Sequence, residues 1–181
     1  MFVLVHSPLV GPFTWSLLSD ELRKRGYEVV VPSLHGGKEA GSPYWEQYAY
    51  AVGESLQGVS AECPLLLVGH SGAGPLLPAI RQVLAWPVAG YVFVDADIPE
   101  DGKSRIDLLR EEMPEAAEGA SREGLLPDWS EEDLREDLPD PWLRSGLLAE
   151  LHPHLCRLAG RTVRLPQVHA VLRQVRGAGS A

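Results

Sequence analysis

The chain opens on the apolar run Phe2-Val3-Leu4-Val5, and three more such runs follow: EVVVP at 28–32, PLLLVG at 64–69 and GYVFVDAD at 90–97. Continuous short apolar runs, rather than strict alternation, suit strands buried on both faces of a parallel sheet. Between them the period changes. Leu17, Leu18 and Leu22 predict one helical face over 15–25, with Lys and Arg late and Gly26 as the stop. Tyr44, Tyr48, Val52 and Leu56 recur every four residues after Ser42-Pro43, which reads as an N-cap with proline at the first helical position. GAGPLLPAIRQVLA, at 72–85, reads as a helix whose prolines stand near its start, where they cost least. The order β-α-β-α-β-α-β with short connections predicts an α/β fold built on an open, doubly wound, mostly parallel sheet. Ligands on such sheets bind beyond the carboxyl ends of the strands, so the loops after Val5, Gly69 and Val94 are expected on one functional edge.

Beyond residue 99 the alternation stops. Residues 100–150 are acidic and helix-prone, with 16 acidic and 6 basic side chains. Ser130 with Asp133 resembles a capping box, and Leu134, Leu138, Trp142 and Leu143 form an apolar stripe, so this stretch reads as a helical cap. From about Leu155 onward the pattern weakens, RTVRLP at 161–166 being the one further candidate strand. The expected organisation is a single domain over 1–181: a core at 1–99, an acidic cap at about 100–150 and a basic segment at about 151–181.

Charge and composition remove several classes of function. The net charge is −9, which disfavours nucleic acid as a partner because phosphate binding needs basic neutralisation. The five arginines after residue 151, with no acidic residue among them, are too sparse to change that. No run of about 18 apolar residues predicts a membrane span. The opening MFVLVHSPL lacks a basic leader and is not expected to be a signal peptide. Two cysteines, Cys63 and Cys156, argue against a disulfide scaffold and for a reducing, cytoplasmic home. No ligand-spaced Cys/His cluster and no phosphate loop is present, so neither a metal nor an organic cofactor is expected.

Candidate chemistry centres on Gly69-His70-Ser71-Gly72-Ala73. Small-x-Ser-x-small between a strand and a helix fits a nucleophile turn: the serine sits on a sharp, strained bend that projects its Oγ, and the small neighbours let strand and helix close on it. The helix N-terminus beyond favours negative charge, and the Gly72 N–H is placed to face a developing oxyanion. With this turn, LVHSPLVGPFTW at 4–15 and YVFVDADIP at 91–99, the chain resembles the α/β-hydrolase superfamily, most of all its small-esterase and hydroxynitrile-lyase branch. The resemblance covers residues 2–99. It implies an α/β-hydrolase fold with a helical cap, Ser71 as nucleophile, a strand-one oxyanion loop, and an acid and a late histidine completing the site.

Two departures from that pattern matter. The family's oxyanion loop has an N–H donor where this chain has Pro8, and proline has none. One missing donor costs about 3–4 kcal/mol of transition-state stabilisation, unless the Leu9 N–H or the Ser7 hydroxyl substitutes. Next, the family places further strands, an acid and a histidine after the fourth strand seen here. This chain reads as an incomplete C-terminal portion, in which His169 alone follows a late candidate strand and is the candidate base. Asp95 and Asp97, both expected on one facing of the strand end, are alternative acids. His6 is expected to hold the loop and, with Ser7, Phe13, Trp15, His35 and His70, to border the substrate. His152 and His154 read as helix-end residues.

The favoured function is an esterase-like serine hydrolase acting on a small, uncharged acyl substrate. The alternatives are a binding or accessory protein that keeps the pocket without turnover, and a relict with neither. Loss of the last strands would leave an exposed sheet edge, through which copies of the chain are expected to pair.

Overall fold

The structure, a computed structural model, describes residues 1–34, 44–103, 105–112, 114–115, 117–118 and 130–151. Four strands among them form one parallel sheet: β1 (Phe2–Val5), β2 (Val29–Val30), β3 (Leu65–Ser71) and β4 (Val88–Ala96), in the order β2-β1-β3-β4. The expected parallel sheet is therefore present. β2 is shorter than its apolar run because only Val29 and Val30 find partners, on Phe2 and Val3.

Val3, Leu4 and Val5 are fully buried, which is why β1 is apolar throughout. Val3, Val5, Leu65 and Leu67 face one layer, made by α2 (Tyr44–Ser55) and α3 (Leu77–Val83) through Tyr48, Ala49, Val52, Leu77 and Ile80, with Leu56 just past the end of α2. Leu4 and Val68 face the opposite layer, where Trp15 and Leu22 cover them from a 3-10 turn (Pro12–Trp15) and α1 (Ser16–Lys24). Helices on both faces make the sheet doubly wound.

The face of α1 differs from the expectation. Leu17 and Leu18 are 58% and 40% exposed, and the packing runs instead through Trp15 of the 3-10 turn and Ser19 and Leu22 of α1. The 3-10 turn ahead of it starts the helical winding earlier than the leucine spacing assumes. Ser19 tolerates burial because its hydroxyl donates to the Ser16 carbonyl at 3.0 Å.

Beyond β4, the described residues form α4 (Arg105–Glu112), α5 (Asp133–Asp137) and α6 (Pro141–Ala149). The capping box at Ser130 forms: its N–H and hydroxyl donate to Asp133 Oδ2 at 2.8 and 2.7 Å, and the Asp133 N–H returns to Ser130 Oγ at 3.2 Å. Asp140 caps α6, accepting from the N–H groups of Trp142 and Leu143 at 2.8 and 3.2 Å. β1 lies between β2 and β3, so the winding reverses there, and the loops leaving β1 and β3 diverge around a crevice.

Candidate active site

Ser71 ends β3 and has a φ of 52°, left-handed backbone that a residue with a side chain seldom adopts. The bend turns the chain from strand to helix in three residues and presents the hydroxyl at the crevice. The Ala73 N–H closes the turn onto the His70 carbonyl at 3.0 Å. Close packing demands the small neighbours. A side chain at Gly69 would stand 3.1 Å from Leu77, and Ala73 is fully buried. Gly74 has no room for a Cβ at all, because the Asp97 carbonyl occupies that place.

The end of β4 is irregular. His70 pairs with Val94, but Ser71 pairs with Ala96, so Asp95 is an extra residue with a φ of 42°. This bulge resets the strand's alternation and corrects the expectation that Asp95 and Asp97 share a facing. Asp95 lines the cleft beside Ser71; Asp97 does not, and its backbone closes over Gly74.

The loop after β1 is anchored by His6, which is fully buried. Its Nε2 accepts the Leu34 N–H at 3.1 Å and its Nδ1 lies 2.8 Å from the Ser7 carbonyl. A carbonyl can only accept and an N–H can only donate, so the ring proton sits on Nδ1 and the imidazole is neutral. Ser7 lines the cleft, and the Val10 N–H donates to its carbonyl at 3.1 Å. The Leu9 N–H points back to Ser7 Oγ at 3.4 Å.

These elements and the cap helices enclose a cleft of about 640 Å³. Its floor is Ser7, Val10, Phe13, Thr14, His70, Ser71 and Asp95; its roof is Asp133, Leu134, Asp137 and Leu138 around α5 with Leu143 and Leu147 of α6. Apolar walls with a few convergent polar groups are the usual composition of a small-molecule site. Burial lowers the His70 pKa below its ordinary value, opposed by the charge of Asp95. The His70 ring stands edge-on to Trp15, with centroids 5.9 Å apart. Asp133 is held below the usual carboxylate range by the Ser130 hydroxyl and N–H. No group of three or more His, Cys, Asp or Glu side chains among the described residues is arranged to hold a metal ion.

Of the residues expected from sequence, Ser7, Phe13, His70, Ser71 and Asp95 meet at the cleft, with Gly72 next in the chain. His6 and Trp15 lie beneath the cleft as its buried supports, and Leu9 is not among its lining residues. His35 and His169 lie outside the described residues. Thr14, Asp137 and Leu147 also line the cleft and were not singled out by the sequence, and Asp133, read there only as a capping residue, lines it too. Nothing local marks Asp133, Asp137 and Leu147 as cleft residues, because they reach it only through the docking of the cap, whereas Thr14 comes with the 3-10 turn of the strand-one loop.

A parallel, doubly wound sheet with a strained serine at the crevice is the α/β-hydrolase fold. A solved extracellular α/β-hydrolase from a Paenibacillus species, described as sharing structural and functional homology with tobacco salicylic acid binding protein 2, superposes with a TM-score of 0.68 at 21% identity, over 94% of this chain and 73% of that one. In sequence, the chain is 29% identical over 117 residues to a carbendazim hydrolyzing esterase from Nocardioides sp. (strain SG-4G), over 62% of this chain and 48% of that protein. It is 28% identical over 120 residues to the putative methylesterase 12, chloroplastic, of Arabidopsis thaliana, over 64% of this chain and 34% of that protein. The matched stretch thus spans about half the first relative and a third of the second. No family model matches the chain. No helix among the described residues is long and apolar enough to cross a membrane.

Proposed function

We propose that the chain is a serine-dependent carboxylic ester hydrolase, and the observation that carries this is the left-handed Ser71 at the floor of a capped, largely apolar cleft. Relatives named esterase and methylesterase support the same reading. Ser71 Oγ attacks the ester carbonyl and gives its proton to His169, the base we assign. The Gly72 N–H and the Ser7 hydroxyl, which lines the cleft where Leu9 does not, receive the oxyanion. Collapse of the tetrahedral intermediate breaks the carbon–oxygen bond, and the alcohol leaves with the proton from the imidazolium. Water, deprotonated by the same base, then cleaves the acyl enzyme and restores Ser71. Of the two candidate acids we assign Asp95 to orient the base, since it lines the cleft. The apolar walls favour a small, uncharged substrate, and neither metal nor organic cofactor enters the mechanism.

Asp95→Asn is expected to lower kcat/KM on p-nitrophenyl acetate by about a hundredfold or more, as loss of an orienting acid does, while Asp97→Asn stays within a few fold. Equal losses for the two would contradict the assignment. Pro8 favours a second reading, a small-molecule-binding protein with slow or no turnover, because it removes a donor from the loop. A ligand that raises the melting temperature without being consumed would support that reading instead. We assign the protein to the cytoplasm on its sparse, widely separated cysteines. We also assign it self-association through β4, which ends the order of the described sheet and leaves Val92 and Val94 38% and 37% exposed.

A further inference from the structure

One long-range contact of the cap serves no step of the mechanism above. The Glu150 carboxylate, just past the end of α6, accepts the Phe13 N–H at 2.7 Å across 137 residues of sequence. That N–H belongs to the first turn of the 3-10 helix in the strand-one loop, where intrahelical acceptors are lacking. A carboxylate on a backbone N–H at such a place is a strong, charge-assisted hydrogen bond. The surroundings are cut to fit it. A Cβ at Gly11 would collide with the Glu150 carboxylate, and one at Gly146 would collide with the Phe13 ring. The Phe13 ring also meets Trp142 edge-on, with centroids 4.9 Å apart. Phe13, Leu143 and Leu147 line the cleft together.

The geometry points to Glu150 as a positioning residue of the Ser71 cleft: by fastening the Phe13 backbone to the end of α6, it holds the Phe13 ring as a fixed wall that limits the site to short acyl groups. The size limit rests on the esterase reading; the fastening does not. Glu150 touches no substrate. It acts through Phe13, whose ring is clamped between Gly146 and Trp142 only while the loop and α6 stay in register. Charge is not required, because any oxygen acceptor of the same length can take the N–H. Glutamine therefore serves and alanine does not.

The test uses the full chain as wild type, Glu150→Ala, Glu150→Gln and Gly11→Ala. The last drives a methyl into the carboxylate's place from the opposite side. Hydrogen exchange of residues 12–15 reads the fastening directly. Hydrolysis of p-nitrophenyl acetate, butyrate and octanoate reads the wall. We expect slow exchange at Phe13 and a preference for the short esters in the wild type and in Glu150→Gln. In Glu150→Ala and Gly11→Ala we expect fast exchange and an octanoate-to-acetate ratio of kcat/KM raised about tenfold, the scale of effect expected when a positioning group is displaced by a fraction of an ångström. A uniform loss on all three esters, with the ratio unchanged, would show a merely structural contact and overturn the wall. Unchanged exchange in Glu150→Ala would overturn the fastening itself. A wild type that hydrolyses none of the esters would overturn the esterase reading and the size limit with it, leaving the exchange result to decide the fastening alone.

Discussion

Ser71 and Asp95 are the non-glycine residues of the described chain with positive φ, and both stand at the cleft. Strained backbone of this kind persists where the surrounding structure over-determines it, and it gathers at functional sites. Ser71→Gly is therefore expected to gain about 0.5–1 kcal/mol of unfolding free energy in urea, the relief of the left-handed penalty exceeding the added freedom of the unfolded chain. Ser71→Ala keeps the strain and stays near wild type. Equal midpoints for wild type and Ser71→Gly would show that the turn is unstrained. The serine turn was legible because its requirements are local: a strand, a bend and small neighbours all fall between Leu65 and Ala73. The pairing of Asp95 and Asp97 was not, because the bulge depends on how β4 registers against β3. Gly74 escaped notice for a similar reason, since what forbids its side chain is the carbonyl of Asp97, 23 residues on.

At the scale of elements, apolar runs identified the four strands of the described residues and their parallel pairing, for a strand buried on both faces has little choice of sequence. The candidate strand at 161–166 lies outside the described residues. Helix faces were less secure. Leu17 and Leu18 suggested a buried stripe that the packing against Leu4 and Val68 does not use. The stripe from Leu134 to Leu143 belongs to two helices, broken where Pro139, Asp140 and Pro141 interrupt the winding. Arg144 secures that break by donating to the carbonyls of Leu138 and Pro139 at 2.6 and 3.2 Å. Removing the cap of α6 should loosen the roof of the cleft. Asp140→Ala is expected to lower stability by about 1 kcal/mol, the usual worth of an N-cap, as read by chemical denaturation. A change below a few tenths would mean that α6 is held by its packing on Phe13 and the Arg144 hydrogen bonds rather than by its cap.

For the whole molecule, two long-range arrangements place chemistry at one edge of the sheet. The reversal of winding at β1 opens the crevice, and the cap closes over it from 60 or more residues further along the chain. The first is legible in the alternation of runs. The second is not, because an acidic, helix-prone stretch carries no mark of where it docks. The exposed valines of β4 belong to this scale as well. Val92→Lys with Val94→Lys is expected to shift the chain toward monomer in sedimentation equilibrium, since charge on an edge strand opposes pairing. A wild type that is already monomeric at tens of micromolar would contradict the assigned self-association.

The account as a whole stands on an activated Ser71. The most direct measurement treats the purified chain with a fluorophosphonate probe and reads the intact mass beside Ser71→Ala. A single adduct on the wild type, absent from the variant, is the predicted result. A folded wild type that takes no adduct would contradict the hydrolase mechanism and leave ligand binding as the function of the cleft.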